Sequence, residues 1–210
     1  MTVYTSIRRG LDAPGLRVGL LGGSFNPAHD GHLHISILAL KNLRLDEIWW
    51  MVSPQNPLKP TAGMAPFEER LAGARELATH PAIAVTDIEQ RLGTRYTAHT
   101  LAALKFCFPR MHFVWIMGAD NLVQLSQWRQ WTRIFNLAPI AVFDRAPYSF
   151  DALAGKAAQA FSRFKVRSKD AHKLAEARPP AWSFFHTRLH PASATEIRAG
   201  RTLNRVAGAP

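Results

Sequence analysis

The 210-residue sequence has one cysteine and three tyrosines, and its 15 Asp and Glu residues are outnumbered by 26 Lys and Arg. With Cys107 alone, no intrachain disulfide can form and no cysteine cluster can hold a metal. Cys107 lies in the apolar run Leu104 to Phe108, so it is expected to be a buried small hydrophobe rather than a reactive thiol. No stretch of about 18 apolar residues exists, so no membrane-spanning helix is expected. Met1 to Gly10 carries Arg8 and Arg9 without an apolar segment behind them, which does not match a secretory signal. Together these absences point to a cytoplasmic location. Internal repeats and low-complexity segments are also missing, which excludes solenoid and fibrous architectures.

What is present is ordinary globular composition: 47% hydrophobic and 20% charged residues, enough for one well-buried domain. The reading divides the chain into an N-terminal extension over 1–16, an α/β domain over 17–203 and a tail over 204–210. The net charge of +11 calls for an anionic partner, and nucleic acid, a membrane surface and phosphorylated metabolites all qualify. The basic residues form no dense block. Their nearest approach, Arg163 to Lys169, alternates as an edge strand or solvated loop would, and reads as solubilising surface.

Hydrophobic patterning predicts strands over Arg17–Leu21, Glu47–Val52, Ile83–Val85, Met111–Met117, Pro139–Phe143 and Trp182–Thr187. Between them, helices are expected over Leu33–Leu43, Pro66–Thr79, Thr97–Phe106, Asn121–Gln124, Trp128–Ile134, Ala152–Phe161 and from Ala192 to Arg198. Strands that are aliphatic on both faces and alternate with helices imply a doubly wound, Rossmann-like parallel sheet covered on both sides. In such sheets ligands bind beyond the carboxyl ends of the strands. The polar clusters fall there: Gly22–His32, Ser53–Lys59, Gly118–Asp120 and Ser193–Arg198.

Gly22 and Gly23 remove Cβ atoms from the turn after the first strand, where a backbone can then approach a ligand. The segment His29-Asp30-Gly31-His32 says more. A helix starting near Asp30 or Gly31 puts both imidazoles and the unsatisfied N–H groups of its first turn on one space, which favours an anion. Donors able to carry positive charge there suit the negative charge that develops in phosphoryl transfer. An exposed loop with incidental histidines is one alternative. A zinc site is another, but it lacks a third ligand at a usual spacing, although His34 is near; no set of side chains is expected to hold a metal of its own.

Residues 22–33, GGSFNPAHDGHL, resemble the signature of bacterial nicotinate-mononucleotide adenylyltransferases, members of the HxGH nucleotidyltransferase superfamily. The likeness continues in Ser53–Lys59 (SPQNPLK), in Arg95–Leu101 (RYTAHTL) against SYTxDTL, in Gly118-Ala119-Asp120 followed by Trp128 and Trp131, and in Ala192–Arg198 (ASATEIR) against ISSTxIR. An HxGH alone would mark only the superfamily. These segments in one order, over about 17–199, are far more specific. The resemblance implies transfer of an adenylyl group from ATP to nicotinate mononucleotide, giving the deamido dinucleotide and pyrophosphate with Mg²⁺. Catalytic roles fall to His29, His32, Lys59 and Arg198. ATP would meet Gly22, Gly23, Ser24, Phe25, His29, His32, Gly118, Asp120, Ser193, Thr195 and Arg198, and the pyridine nucleotide Asn56, Tyr96, Thr97 and Trp128. Several of these have plainer readings: Lys59 as a surface lysine, Ser193 with Glu196 as a capping box, Asp120 as a helix cap, Trp128 as core. Trp131 is the more core-like of the two tryptophans.

The sequence departs from the family pattern at His99 (usually Asp), Arg95 (often Ser) and Ala194 (second serine of ISST). None touches the histidine pair, but His99 bears on the hydrogen bonding around Tyr96 and Thr97, and so on base selectivity. The same chemistry on nicotinamide mononucleotide or phosphopantetheine is the nearest alternative. A basic nucleic-acid-binding module is a distant one, since no RNP-like aromatic pattern or basic helix is present.

Overall fold

A computed structural model describes residues 14–54, 63–144 and 148–187. Six strands, β1 (Arg17–Gly23), β2 (Glu47–Val52), β3 (Ile83–Thr86), β4 (His112–Gly118), β5 (Ile140–Phe143) and β6 (Trp182–Phe185), form one sheet in the order β3-β2-β1-β4-β5-β6. Every pairing is parallel. This is the Rossmann-like arrangement expected, with its order reversing between β1 and β4. At its start, β1 is pinned to the approach to β2 by a two-pronged Arg17–Asp46 pair at 2.9 and 3.1 Å, whose hydrogen bonding holds the Asp46 carboxyl below its usual range.

Successive strand residues point to opposite faces, and the core divides accordingly. Val18, Leu20, Trp49, Met51, Phe113, Trp115, Ile140 and Val142 share one buried cluster with the helices Thr97–Cys107, Ala119–Gln124 and Trp131–Leu137. Leu21, Ile48, Trp50, Val52, Val114, Ile116 and Phe143 share the other with the helices Asp30–Leu43 and Phe67–Leu77 and the 3-10 segment Ser168–Glu176. Both faces are covered, which is why the strands carry almost no charge.

Three expectations change, while the basic stretch from Arg163 keeps the exposed, edge-lying character expected of it. Cys107 is exposed, not buried, because it ends its helix on the solvent side of the buried positions Leu101 and Leu104. The helix expected over Ala152–Phe161 is two, Ser149–Ala154 and Lys156–Ala160, parted by extended Gly155; a Cβ there would sit 3.0 Å from the Asp151 carbonyl oxygen. The helix expected from Trp128 begins at Trp131, because Gln130 takes a left-handed φ of 55°. The basic stretch from Arg163 forms a 3-10 turn and then, at Lys165, a parallel bridge to Trp182. The Lys165 ammonium lies over the Trp182 ring at 5.3 Å, guarding a sheet edge as lysine commonly does. Within the region expected as an extension, Gly15 donates to the Arg110 carbonyl at 2.9 Å and Leu16 packs on the core. The rest of that extension, the helix expected at Ala192–Arg198 and the tail over 204–210 lie outside the described residues.

Candidate active site

The ends of β1 and β4 lie side by side where the strand order reverses, so loops leaving them diverge and open a crevice. From β1 the chain runs through Ser24 and Phe25 into the helix Asp30–Leu43. His29 is that helix's N-cap, with Asp30 adding favourable charge to the first turn. The His29 Nδ1 accepts the Gly31 N–H at 3.1 Å, and the His32 Nδ1 accepts the His29 N–H at 3.2 Å. This is a reciprocal capping box built from two histidines. The His29 carbonyl lies 3.3 Å from His32 Nδ1 but already accepts the His32 N–H at 2.8 Å. Satisfying both backbone groups therefore leaves Nδ1 unprotonated in each ring, and the neutral ring then bears its proton on Nε2.

The ring centroids of His29 and His32 are 3.9 Å apart. Charging both would place like charges together at a real cost. The pair is thus suited to presenting Nε2–H donors. His29 is buried and His32 half-buried. Phe25 lies 4.7 Å from the His32 ring and 5.3 Å from Trp50, holding His32 from below. Its backbone occupies the left-handed region at φ 46°, a strained place for a bulky residue, offset here by complete burial of the ring. Behind it, the Trp50 indole N–H donates to Ser36 Oγ at 2.8 Å, and that hydroxyl donates to the His32 carbonyl at 2.8 Å. Sequence reasoning missed this relay, which steadies the first turn from the core side.

The space a side chain would take at Gly22 is filled by the core. A Cβ there would meet Cη2 of Trp115 at 2.5 Å, so the indole takes that space, whereas at Gly23 the nearest atom is at 3.5 Å. Across the crevice, Gly118 ends β4 as the N-cap of the short helix Ala119–Gln124, with half-buried Asp120 in its first turn. Beyond β5, Asp144 accepts from Ser149 and lies 3.5 Å from His186 Nδ1, an acidic position at the rim that the motifs did not indicate.

A second group forms around Tyr96, the extended N-cap of the helix Thr97–Cys107, which has no side-chain cap. The Tyr96 carbonyl accepts from the His99 and Thr100 N–H groups. His99 turns its ring edge to Tyr96 at 5.6 Å, so at this position the residue replacing Asp contributes a ring contact. The Arg129 guanidinium sits 5.1 Å over the Tyr96 ring and thereby draws the Trp128 turn to Tyr96 and Thr97. Trp128 is half-buried at the core's margin. Trp131 meets Phe135 and Phe161 edge-on at 6.5 and 5.9 Å, the core role expected of it.

Beneath this group lies Glu89, which is 7% exposed. It accepts the Thr100 hydroxyl at 3.0 Å, and Thr100 in turn meets Thr94 Oγ1 at 2.9 Å. Burial pushes the Glu89 carboxyl up to about 7, only partly countered by the Thr100 hydrogen bond. Between its ordinary value of 4.5 and about 7, the folded chain keeps a proton that the unfolded chain releases, so stability falls as pH rises through that window. Glu89→Gln keeps an acceptor for Thr100 without the charge. Its thermal midpoint should match wild type near about pH 5 and exceed it near about pH 8; a gap that does not change with pH would refute this account.

Asn56, Lys59, Ser193, Thr195 and Arg198 lie outside the described residues. Among the described residues, no group of three or more His, Cys, Asp or Glu could hold a metal, and no helix is long and apolar enough to cross a membrane.

A histidine-capped helix start at the switch point of a parallel sheet is where a sheet of this kind can take an anionic ligand. Residues 20–200 match the cytidylyltransferase-like family. A probable nicotinate-nucleotide adenylyltransferase of Parvibaculum lavamentivorans is 52% identical over 191 residues, covering 91% of this chain and 95% of its own length. Another, of Methylorubrum extorquens, is 51% identical over 183 residues, 87% of this chain and 99% of its own. The chain belongs to the nicotinate-nucleotide adenylyltransferase family. The fold is shared with the Plasmodium falciparum nicotinic acid mononucleotide adenylyltransferase complexed with NaAD, at a TM-score of 0.65 and 15% identity, over 87% of this chain and 82% of that one.

Proposed function

We propose that this chain joins ATP to nicotinate mononucleotide, forming the deamido dinucleotide and pyrophosphate, a step in making NAD. The observation that carries the reading is that half of all positions agree with relatives of that name across nearly their full length. The family match over residues 20–200 spans the segments assigned to the acceptor as well as the histidine motif. A phosphate oxygen of the mononucleotide attacks the α-phosphorus of ATP; the new P–O bond forms as the bond to the β-phosphate oxygen breaks, and pyrophosphate leaves. A phosphate monoester is already a nucleophile at neutral pH, so the site needs positioning and charge stabilisation rather than a strong base.

In this reading His29 and His32 donate from Nε2 to ATP phosphate oxygens at the positive end of the helix dipole. Gly118 and Asp120 meet the adenosine from the β4 side, alongside Ser24 and the backbone of Gly23. Lys59, Ser193, Thr195 and Arg198 supply further phosphate contacts. Tyr96 and Thr97 receive the nicotinate carboxylate, Asn56 lies on the same side, and Trp128 stacks on the pyridine ring. Mg²⁺ enters with the ATP phosphates as part of the substrate, neutralising their charge.

A pyrophosphate-release assay with ATP and either nicotinate mononucleotide, nicotinamide mononucleotide or phosphopantetheine tests the assignment. Turnover is expected to be fastest with the nicotinate form, and no turnover with either pyridine nucleotide would sink it. Trp128→Ala should raise KM for the pyridine nucleotide roughly tenfold, a typical worth of one stacking contact, with KM for ATP nearly unchanged. Equal losses for both substrates would make Trp128 a core residue instead.

A further inference from the structure

Arg70 stands on the buried face of the helix Phe67–Leu77 and is 4% exposed. Among the described residues its guanidinium makes four hydrogen bonds, all to main-chain carbonyls. Nε donates to Ala65 at 3.0 Å, Nη1 to Ser24 at 2.6 Å and Ser53 at 2.8 Å, and Nη2 to Pro54 at 3.0 Å. Those carbonyls belong to the loop after β1, the end of β2 and the turn leading into Arg70's own helix. Asn26, on the β1 loop, reaches the last of these from the other side: its Nδ2 donates to the Gly63 carbonyl at 3.1 Å, and its Oδ1 accepts the Ala65 N–H at 3.2 Å. Ser53–Pro54 and Gly63–Ala65 flank the stretch 55–62, which includes Asn56 and Lys59. Both anchors of that stretch are thus fastened to the loop that leads into His29.

We infer that Arg70, together with Asn26, is a positioning residue that sets the β1 loop and both anchors of the 55–62 stretch in one fixed relation, so that the nucleotide and acceptor sides of the site are aligned together. The inference rests on the reaction proposed above. Only a planar five-donor fork can serve carbonyls from three segments at once; a lysine ammonium donates from a single point. The charge is retained in a site where burial lowers the guanidinium's pKa from its ordinary value, and the group stacks 5.4 Å over the Phe67 ring. A tie needed for folding alone would not have to converge on the β1 loop and on both segments that flank residues 55–62. A cavity of about 370 Å³, lined by Phe25, Asn26, Pro27, Ala65, Arg70 and Leu77, opens directly onto the clamp.

The test uses the full chain carrying Arg70→Lys, Arg70→Ala or Asn26→Ala, with pyrophosphate release measured against both substrates and thermal midpoints measured in parallel. Arg70→Lys and Asn26→Ala should remain folded, with kcat reduced roughly 10- to 100-fold, as expected of misplacement at a distance from the chemistry, and with both KM values raised. In Arg70→Ala, added guanidinium at sub-denaturing concentration should enter the cavity and restore part of kcat saturably, while equal urea or NaCl should not. Folded Arg70→Lys or Asn26→Ala with wild-type constants overturns the inference, as does a loss accounted for wholly by the unfolded fraction. If the wild-type chain itself turns over no acceptor, the proposed reaction fails and the clamp is judged by amide exchange. Arg70→Lys should then speed exchange at residues 23–27 and 63–65 together, and unchanged exchange at both refutes it.

Discussion

His32→Ala is expected to lower kcat about 10²-fold, the typical cost of removing one donor aimed at charge developing in a transition state, about 2.7–4 kcal/mol. The substitution also removes the acceptor for the His29 N–H at 3.2 Å, a capping loss of about 0.5–2 kcal/mol in stability. The two effects separate in His32→Asn. An asparagine oxygen can still accept the His29 N–H, so the thermal midpoint should recover toward wild type while kcat stays low. If His32→Asn restores turnover, the imidazole is a cap and not a catalytic group. Wild-type kcat in a folded His32→Ala chain would exclude the role altogether.

Gly22→Ala should cost about 1–3 kcal/mol of stability, the usual penalty for overpacking a filled core. The added Cβ meets Cη2 of Trp115 at 2.5 Å and Cζ2 at 3.3 Å. Trp115 is 3% exposed on the neighbouring strand β4, and a rigid indole in a packed core cannot step aside as a flexible side-chain end could. Because the chain from Gly22 leads into Ser24 and the histidine cap, turnover should fall roughly tenfold as well. Combining Gly22→Ala with Trp115→Phe frees the space and should give a double variant more stable than the sum of the singles predicts. Strict additivity in urea denaturation, or a Gly22→Ala chain as stable as wild type, would show that the clash is relieved some other way. Gly23→Ala is the contrasting case, since its nearest new contact is an ordinary 3.5 Å.

Much of this molecule is written in local pattern. The unbroken apolar runs LLGG, IWWMV and FVWIM mark strands buried on both faces, and these appear as β1, β2 and β4 with their two faces in separate clusters. The helix start at His29 was legible because capping depends on four neighbouring residues. What escaped depends on contacts distant in sequence. Arg70 bonds Ser24, 46 positions away, and nothing near Arg70 names that partner. One signal did exist: Phe67, Arg70, Leu71 and Ala74 follow the i, i+3, i+4, i+7 stripe of a core-facing helix, and a charge inside such a stripe must find partners when buried. Glu89 offered less, since its neighbours show no period that would bury it. Arg129 is an exposed residue, and only the fold brings it over Tyr96. Cys107 misled for the opposite reason: an apolar neighbourhood in sequence is not a buried one when the helix ends there.

The histidine cap has a consequence for inheritance. Each imidazole bonds a main-chain N–H no more than three residues away, and main-chain groups survive most substitutions around them. On the reading proposed above, the phosphate side can therefore persist while the acceptor side drifts, since Tyr96, His99 and Arg129 depend on one another's side chains. A chain in which His99 and Arg95 have departed from the usual residues while HDGH stands intact is the outcome such a division produces. New acceptors should arise in this fold by rewriting the turn around Tyr96, leaving the four residues from His29 to His32 as a self-contained cassette.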